Sequence, residues 1–334
     1  MKKRILLTGS AGFVGSHVVD HILKNTDWDI IGIDSFRHRG DSVRVYQDPA
    51  RYRIITHDLT TPISDVLIKK IGHVDYIINM ASESHVDRSI ADETRRDFIE
   101  NNIKLAITML EYAKTIKPEK YLHVSTDECY GVALEGHNHK EWEPHLPSNP
   151  YSASKAAQVD LSISYFRTFN IPLIITETMN IIGEMQDSEK YLPKLIKKIY
   201  HGEEVTIHGE PGNIGSRFYL HARNQADALM FLLKNHEPII YHDTTEEIIR
   251  PSRFNVVGEI EVDNLTLAQM VAEILDKPLI YKLEAFHKTR PGHDRRYALD
   301  GSKLYELGWR HPVPFHQCLK DIIEWTLANP EWLV

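Results

Sequence analysis

The amino-acid sequence predicts an α/β protein built on a doubly wound, Rossmann-type parallel sheet, with a smaller α/β lobe interleaved with it. Three observations carry this. Short apolar runs recur at 5–7, 29–33, 52–55, 74–78 and 121–124, and their hydrophobicity is continuous rather than alternating, as suits parallel strands covered on both faces. Segments of helical spacing, such as 14–23 and 98–113, lie between them, and strand and helix in alternation give a doubly wound sheet. A glycine-rich turn, TGSAGFVGS, follows the first run directly.

Taken in order, the first run leads into Gly9, Gly12 and Gly15, which open a helix together with Phe13 and Val14. Such a turn lets backbone N–H groups approach a pyrophosphate, the helix N-terminus adds partial positive charge, and the last glycine allows helix and strand to pack closely. The second run ends in Asp34, where a carboxylate would hold the ribose hydroxyls of NAD and repel the extra phosphate of NADP. Asp58 and Leu59 end the third strand, toward the adenine. The fifth strand runs into Thr126, Asp127 and Glu128, at the carboxyl edge where such sheets place their chemistry. The segment 132–150, with His137, His139, His145 and three prolines, reads as an extended surface connection.

Beyond Met179 the pattern loosens. Helices are expected at 191–200, 224–233, 266–275 and 315–327, and strands at 204–207 and 218–220. The expected division assigns 1–178 with about 222–250 to the dinucleotide-binding domain. It assigns 179–221 with about 251–334 to the second lobe. No repeat, low-complexity tract or linker divides the chain.

Composition limits the function classes. A hydrophobic fraction of 42% supports a sizeable core, and 39 Lys and Arg against 47 Asp and Glu leave a formal charge of -8. That balance disfavours nucleic acid and anionic membranes as partners. Two cysteines, Cys129 and Cys318, make no disulfide framework, so a cytoplasmic protein is expected. The basic, apolar start MKKRILLTGS is broken by Gly9, Ser10 and Gly12 and is not expected to be a signal peptide. No apolar stretch is long enough to span a bilayer.

Tyr151 and Lys155 form a Y-x-x-x-K at the start of a helix. Spacing of four puts phenol and ammonium on one face, where the lysine charge is expected to lower the phenol pKa and make a base for an alcohol proton. Y-x-x-x-K alone is more often a solvated helix face, and an isolated Asp-Glu pair is more often a helix cap. The dinucleotide fingerprint upstream alters that balance. Here the sequence resembles the extended short-chain dehydrogenases, which mostly act on nucleotide sugars. Two adjacent carboxyls can divide acid and base work if their environments differ.

The stretches ASESHVDRSI (81–90), STDECYG (125–131), NPYSASKAA (149–157) and RPGHDRRYALD (290–300) together resemble the dTDP-glucose 4,6-dehydratase family nearly end to end, with FNVVGEIEVDNL (254–265) a looser match. The resemblance implies an enzyme, a lyase with NAD as cofactor, that turns dTDP-glucose or UDP-glucose into the 4-keto-6-deoxy sugar nucleotide. It implies that Tyr151 takes the proton of the sugar 4-hydroxyl and that Lys155 holds the nicotinamide ribose. Glu128 would then remove the C5 hydrogen, Asp127 protonate the departing 6-hydroxyl and Thr126 hydrogen-bond near the 4-oxygen, before the hydride returns to C6. Ala81 and Ser82 are implied against NAD. Ser84, His85, Asn180, Glu189, Lys190, Arg217, Asn255, Arg290, His293 and Asp294 are implied against the nucleotide-diphosphate sugar. A homodimer through the helices at 98–113 and 151–169 is implied as well.

Five departures stand beside the resemblance. Ile181, Ile182 and Glu184 replace the second asparagine, tyrosine and proline of an SNNYGP-like run, Phe218 follows Arg217 in place of aspartate, and Ile260 stands where asparagine is usual. The alternative within the superfamily is a 4-epimerase or decarboxylase, against which the Thr-Asp-Glu triplet argues. A non-catalytic NAD-binding regulator would need none of Tyr151, Lys155, Asp127 and Glu128. No metal is expected, since no cysteine or carboxylate is seen to join His137, His139 and His145 at a site-like spacing. Cys129 is expected to be a buried, inert thiol.

Overall fold

The computed structural model describes residues 2–37, 41–244, 246–285 and 294–333. Its centre is a seven-stranded sheet in the order β12-β6-β5-β4-β1-β2-β3, every neighbouring pair parallel. The strands are β1 (Arg4–Thr8), β2 (Asp29–Asp34), β3 (Tyr52–Thr56), β4 (Tyr76–Asn79), β5 (Lys120–Thr126), β6 (Leu173–Thr178) and β12 (Ser252–Val256). All five apolar runs of the first half are strands of this sheet.

Both faces are covered, which explains the continuous hydrophobicity. On β1, Ile5 and Leu7 join a core with Val18, Val19 and Ile22 of α1 (Phe13–Asn25) and Leu229 and Leu233 of α7 (Ala222–Asn235). Leu6, between them, enters the opposite core with Met109 and Leu110 of α4 (Arg95–Ile116) and Val159 and Phe166 of α5 (Pro150–Phe169). Side-chain period two on the strand thus feeds both layers. The α5 helix starts at Asn149, whose side chain accepts from the Ser152 N–H while Ser152 answers to the Asn149 N–H, with Pro150 at the first helical position. This capping box fixes the turn that presents Tyr151.

The second lobe has its own core. Leu192, Leu195, Ile196 and Ile199 of α6 (Tyr191–Tyr200) pack on Val205 and Ile207 of β8 (Val205–Glu210), Leu267 and Val271 of α8 (Asn264–Leu275), and the carboxyl-terminal helix Phe315–Ala328. The expected strand at 218–220 is two short ones, β10 (Ser216–Phe218) and β11 (Leu220–His221).

The lobes exchange more chain than the sequence division allowed. Ser252–Val256, expected in the second lobe, pairs with β6 and is buried throughout. Tyr297, Leu299, Leu304 and Trp309 likewise enter the first core. The five residues satisfy the backbone groups of the open β6 edge there, and Phe254 and Val256 enter the first core. The 132–150 connection is also less superficial than expected. Ala133, Glu141 and Asn149 are buried, and Arg296 donates to the carbonyls of Leu134 and His137.

Candidate active site

β1 and β4 lie side by side while the chain proceeds outward from them in opposite directions. At such a reversal the loops leaving the carboxyl ends diverge and leave a crevice. There a cavity of about 790 Å³ runs from Gly9 and Asp34, past Thr126–Glu128 and Tyr151, to Lys190, His208 and Arg217 in the second lobe.

At the sheet end, Gly9 has φ +71, and a Cβ there would stand 3.1 Å from Ala81 Cα. A Cβ on Gly15 would lie 2.0 Å from the Gly9 carbonyl oxygen, whereas at Gly12 it would meet only that oxygen at 3.2 Å and then project into the cavity. The first and third glycines therefore serve close packing, and the second keeps a cradle that a side chain would fill. Asp34 closes this end, accepting from Ala11 N at 3.0 Å and Phe36 N at 3.0 Å. Asp58 accepts from Arg37 at 2.7 Å. Partial burial opposes its charge, but the Thr60 hydrogen bonds and Arg37 hold its carboxyl below the usual range. These residues fit a dinucleotide: amides and a bare backbone for the pyrophosphate, and a carboxylate for the ribose hydroxyls.

At the centre, Thr126 ends β5, lines the cavity and donates to Asp127 Oδ1 at 2.9 Å. Asp127 is buried. Burial and the neighbouring Glu128 charge push its carboxyl up to about 8. Burial also raises Glu128, against the Asn149 amide, which donates to its Oε2 at 3.3 Å. One carboxyl thus holds its proton near neutral pH, and its neighbour has a donor that favours the anion, the asymmetry an acid–base pair requires.

Tyr151 and Lys155 follow on α5, both lining the cavity. The expected lowering of the Tyr151 phenol is not what dominates. Burial pushes it well above 10, and the Glu128 and Asp127 charges add to this. Lys155 Nζ instead donates to Val124 O at 2.9 Å and Gln158 Oε1 at 2.8 Å, and burial lowers it to about 8. Cys129 is buried, and burial raises its thiol.

Toward the second lobe, His85 Nε2 and Glu189 Oε1 meet at 2.9 Å. Arg217 stacks over Tyr297 at 4.4 Å and donates to the carbonyls of Asp294, at 2.7 Å, and Arg295. Ser84, Asn180 and Lys190 also line the cavity. Asp294 lies behind Arg217 and accepts from Ser148 at 2.8 Å. Asn255 is a correction. It is wholly buried in β12, its Nδ2 donating to His139 O and Asp300 O at 2.9 and 3.0 Å, so its side chain ties two chain segments together and does not line the cavity. Arg290 and His293 lie outside the described residues.

Sequence reasoning missed Arg37, which links Asp58 to Glu83, and Lys194 and His208 at the far end of the cavity. Lys194 had a usable signal, since it stands four residues after Lys190, in the first turn of the expected helix at 191–200. The departures gain a partial account. Glu184 accepts from His17 and Arg223 at 3.2 and 2.9 Å and lies 3.1 Å from His221 Nε2, tying the loop after Ile182 to α1 and α7. Burial works against its charge, yet the His17 and His221 contacts hold its carboxyl well below the usual range. Ile182 is buried in the second core.

One metal expectation also needs correction. His137 and His139 are accompanied by a carboxylate, Glu143, which folds back on them, while His145 turns away to Arg253.

The family model described as GDP-mannose 4,6 dehydratase matches residues 6–322. A dTDP-glucose 4,6-dehydratase of Haemophilus influenzae is 33% identical, with 97% of this chain and 98% of the relative covered. The solved structure of a dTDP-glucose 4,6-dehydratase from Streptomyces venezuelae, with NAD and TYD bound, is 30% identical with a TM-score of 0.85, covering 98% of each chain. A UDP-glucuronic acid 4-epimerase from Bacillus cereus reaches the same TM-score of 0.85 at 23% identity, over 98% of this chain and 99% of its own, and likeness at that level speaks for the fold alone.

Proposed function

The chain belongs to the family described by the GDP-mannose 4,6 dehydratase model, and from that premise we propose an NAD-dependent nucleotide-sugar 4,6-dehydratase that acts on dTDP-glucose or UDP-glucose. The observation that carries the choice of reaction is the Asp127–Glu128 pair beside Tyr151, with Asp127 buried and raised to about 8. A 4-epimerase needs one proton acceptor at the 4-hydroxyl, whereas dehydration needs a base at C5 and an acid at the 6-hydroxyl as well.

NAD, when bound, supplies a hydride acceptor and later a donor at the sugar. Gly9, Gly12 and Gly15, with Phe13 and Val14, would cradle its pyrophosphate. Asp34, Asp58, Leu59, Ala81 and Ser82 would line its adenosine and nicotinamide ends. Tyr151 takes the 4-hydroxyl proton, and Lys155 would hold the nicotinamide ribose. Glu128 removes the C5 proton, which the 4-ketone has acidified. Asp127 gives its proton to the 6-oxygen, which departs as water. Ser84, His85, Asn180, Glu189, Lys190 and Arg217 hold the nucleotide diphosphate, for which lysine and arginine are suited by charge-assisted hydrogen bonds. Arg290 and His293 are proposed as further contacts to it on the resemblance of their motif, and Asp294 accepts from Ser148 behind Arg217.

The working division keeps 1–178 and about 222–250 for NAD and the remainder for the nucleotide sugar, with the strand at 252–256 moved to the sheet. We further propose a cytoplasmic homodimer. No helix among the described residues is long and apolar enough to cross a membrane.

The test is incubation with dTDP-glucose and UDP-glucose separately, read by mass spectrometry. Loss of one water from either, abolished in Glu128→Gln, is expected. An isomer of unchanged mass would transfer the protein to the epimerases.

A further inference from the structure

Outside the cavity, the 132–149 connection brings three metal-ligand side chains to one point. A tight turn bonds His137 N to Leu134 O at 3.1 Å, with Gly136 at φ +73, and a second bonds Glu143 N to Lys140 O at 3.1 Å. Together they fold the chain so that one carboxylate oxygen, Glu143 Oε2, lies 2.9 Å from His137 Nε2 and 2.7 Å from His139 Nδ1. We propose that His137, His139 and Glu143 form a binding site for one divalent transition-metal ion of the zinc type, a site separate from the dehydratase cavity.

The arrangement fits the chemistry of such an ion in three respects. Two imidazoles and a carboxylate are a borderline ligand set that suits zinc, and three protein ligands leave a fourth position for water. Both rings aim a nitrogen at the same oxygen, so the space between them holds protons that an ion displaces on binding. The remaining ring nitrogen of His139 faces the Val132 carbonyl at 3.4 Å, the outer-shell contact that orients a ligating histidine.

The ligands are also held in place beforehand. His139 is fastened on both sides, its N–H donating to Ala298 O at 3.0 Å and its carbonyl accepting from Asp300 N at 2.9 Å, and its ring stacks on Tyr130 at 5.3 Å. Glu143 Oε1 accepts from Lys140 N at 3.0 Å, which leaves Oε2 for the ion. Arg296, bonded to the His137 carbonyl, would repel a cation, but Glu261 pairs with it at 2.6 Å. The His137 side chain is 49% exposed, so the site is open to solvent.

Metal-stripped full-length protein titrated with zinc chloride tests this by calorimetry and melting. One equivalent should bind, and a hundredfold excess over the dissociation constant should raise Tm by roughly 5 °C. Glu143→Gln and His137→Asn, which leave the apo melting temperature near that of the parent, should each lose the shift, while His73→Ala and His201→Ala should keep it. Absence of binding would overturn the proposal. So would a shift that survives in Glu143→Gln and His137→Asn, or several equivalents of equal affinity, which would mean an adventitious ion only among 19 histidines. The readouts do not involve turnover, so the outcome is independent of the dehydratase reading.

Discussion

Asp127 shows at the scale of one side chain how function is set against stability. Its Oδ1 accepts from Thr126, while Oδ2 is buried without a hydrogen-bond partner among the described residues. Folding therefore raises this carboxyl from an ordinary 3.8 to about 8. Below pH ~4 folded and unfolded chains both carry the proton, and the group costs nothing. As pH rises from there toward 8, only the folded chain retains the proton, so stability is progressively lost. Asp127→Asn removes that cost, and Tm should rise by several degrees at pH 7.5, with the gain vanishing near pH 4. Turnover should fall by about a hundredfold or more, since the amide has no proton to give. In the parent, turnover should decline as pH passes about 8 and the acid form disappears. Melting curves and initial rates across pH check both, and a variant less stable at pH 7.5 would refute the assignment of Asp127 as a protonated group.

The glycine turn between β1 and α1 is the element on which cofactor binding depends. A Cβ at position 15 would lie 2.0 Å from Gly9 O, well inside contact distance, and backbone rather than a side chain must give way. Gly15→Ala should therefore shift the first turn of α1 away from the crevice. Purified protein should lose NAD, and NAD titration should show affinity down by about tenfold or more, while the far-ultraviolet spectrum changes little. Undiminished NAD affinity would exclude this turn as the cradle. This element was legible in the sequence, as were the Thr126–Glu128 turn and the Tyr151–Lys155 face, because each is a contiguous motif whose spacing alone fixes its geometry. The pairing of His85 with Glu189 and the bridging of Asp58 and Glu83 by Arg37 were not, since they join residues far apart in the chain that share no period. Asn255 was misplaced for a related reason. The sequence shows a strand there but not that it would add to β6, where the amide is turned inward to two carbonyls.

For the whole molecule, the question is what covers α4 and α5, whose packing on one another closes one face of the sheet. Ile99, Ile103 and Ile107 recur every four residues along α4, all incompletely buried, with Ile107 38% exposed. Leu161 and Tyr165 on α5 are half-buried and Phe169 is 43% exposed. The charged residues Arg96, Glu100 and Lys104 pair with one another on α4, leaving the isoleucine stripe as its apolar outer surface. Two such helix pairs facing across a twofold axis form a four-helix bundle. Burying roughly 1,000 Å² or more in total is enough for a stable contact. Light scattering after gel filtration should give twice 38.6 kDa. Ile103→Glu combined with Ile107→Glu, which place carboxylates at the centre of the stripe, should return the mass to that of one chain with the fold intact. A parent protein that runs as a monomer at micromolar concentration would remove α4 and α5 as an interface. A dimer that survives both substitutions would place the interface elsewhere on the surface.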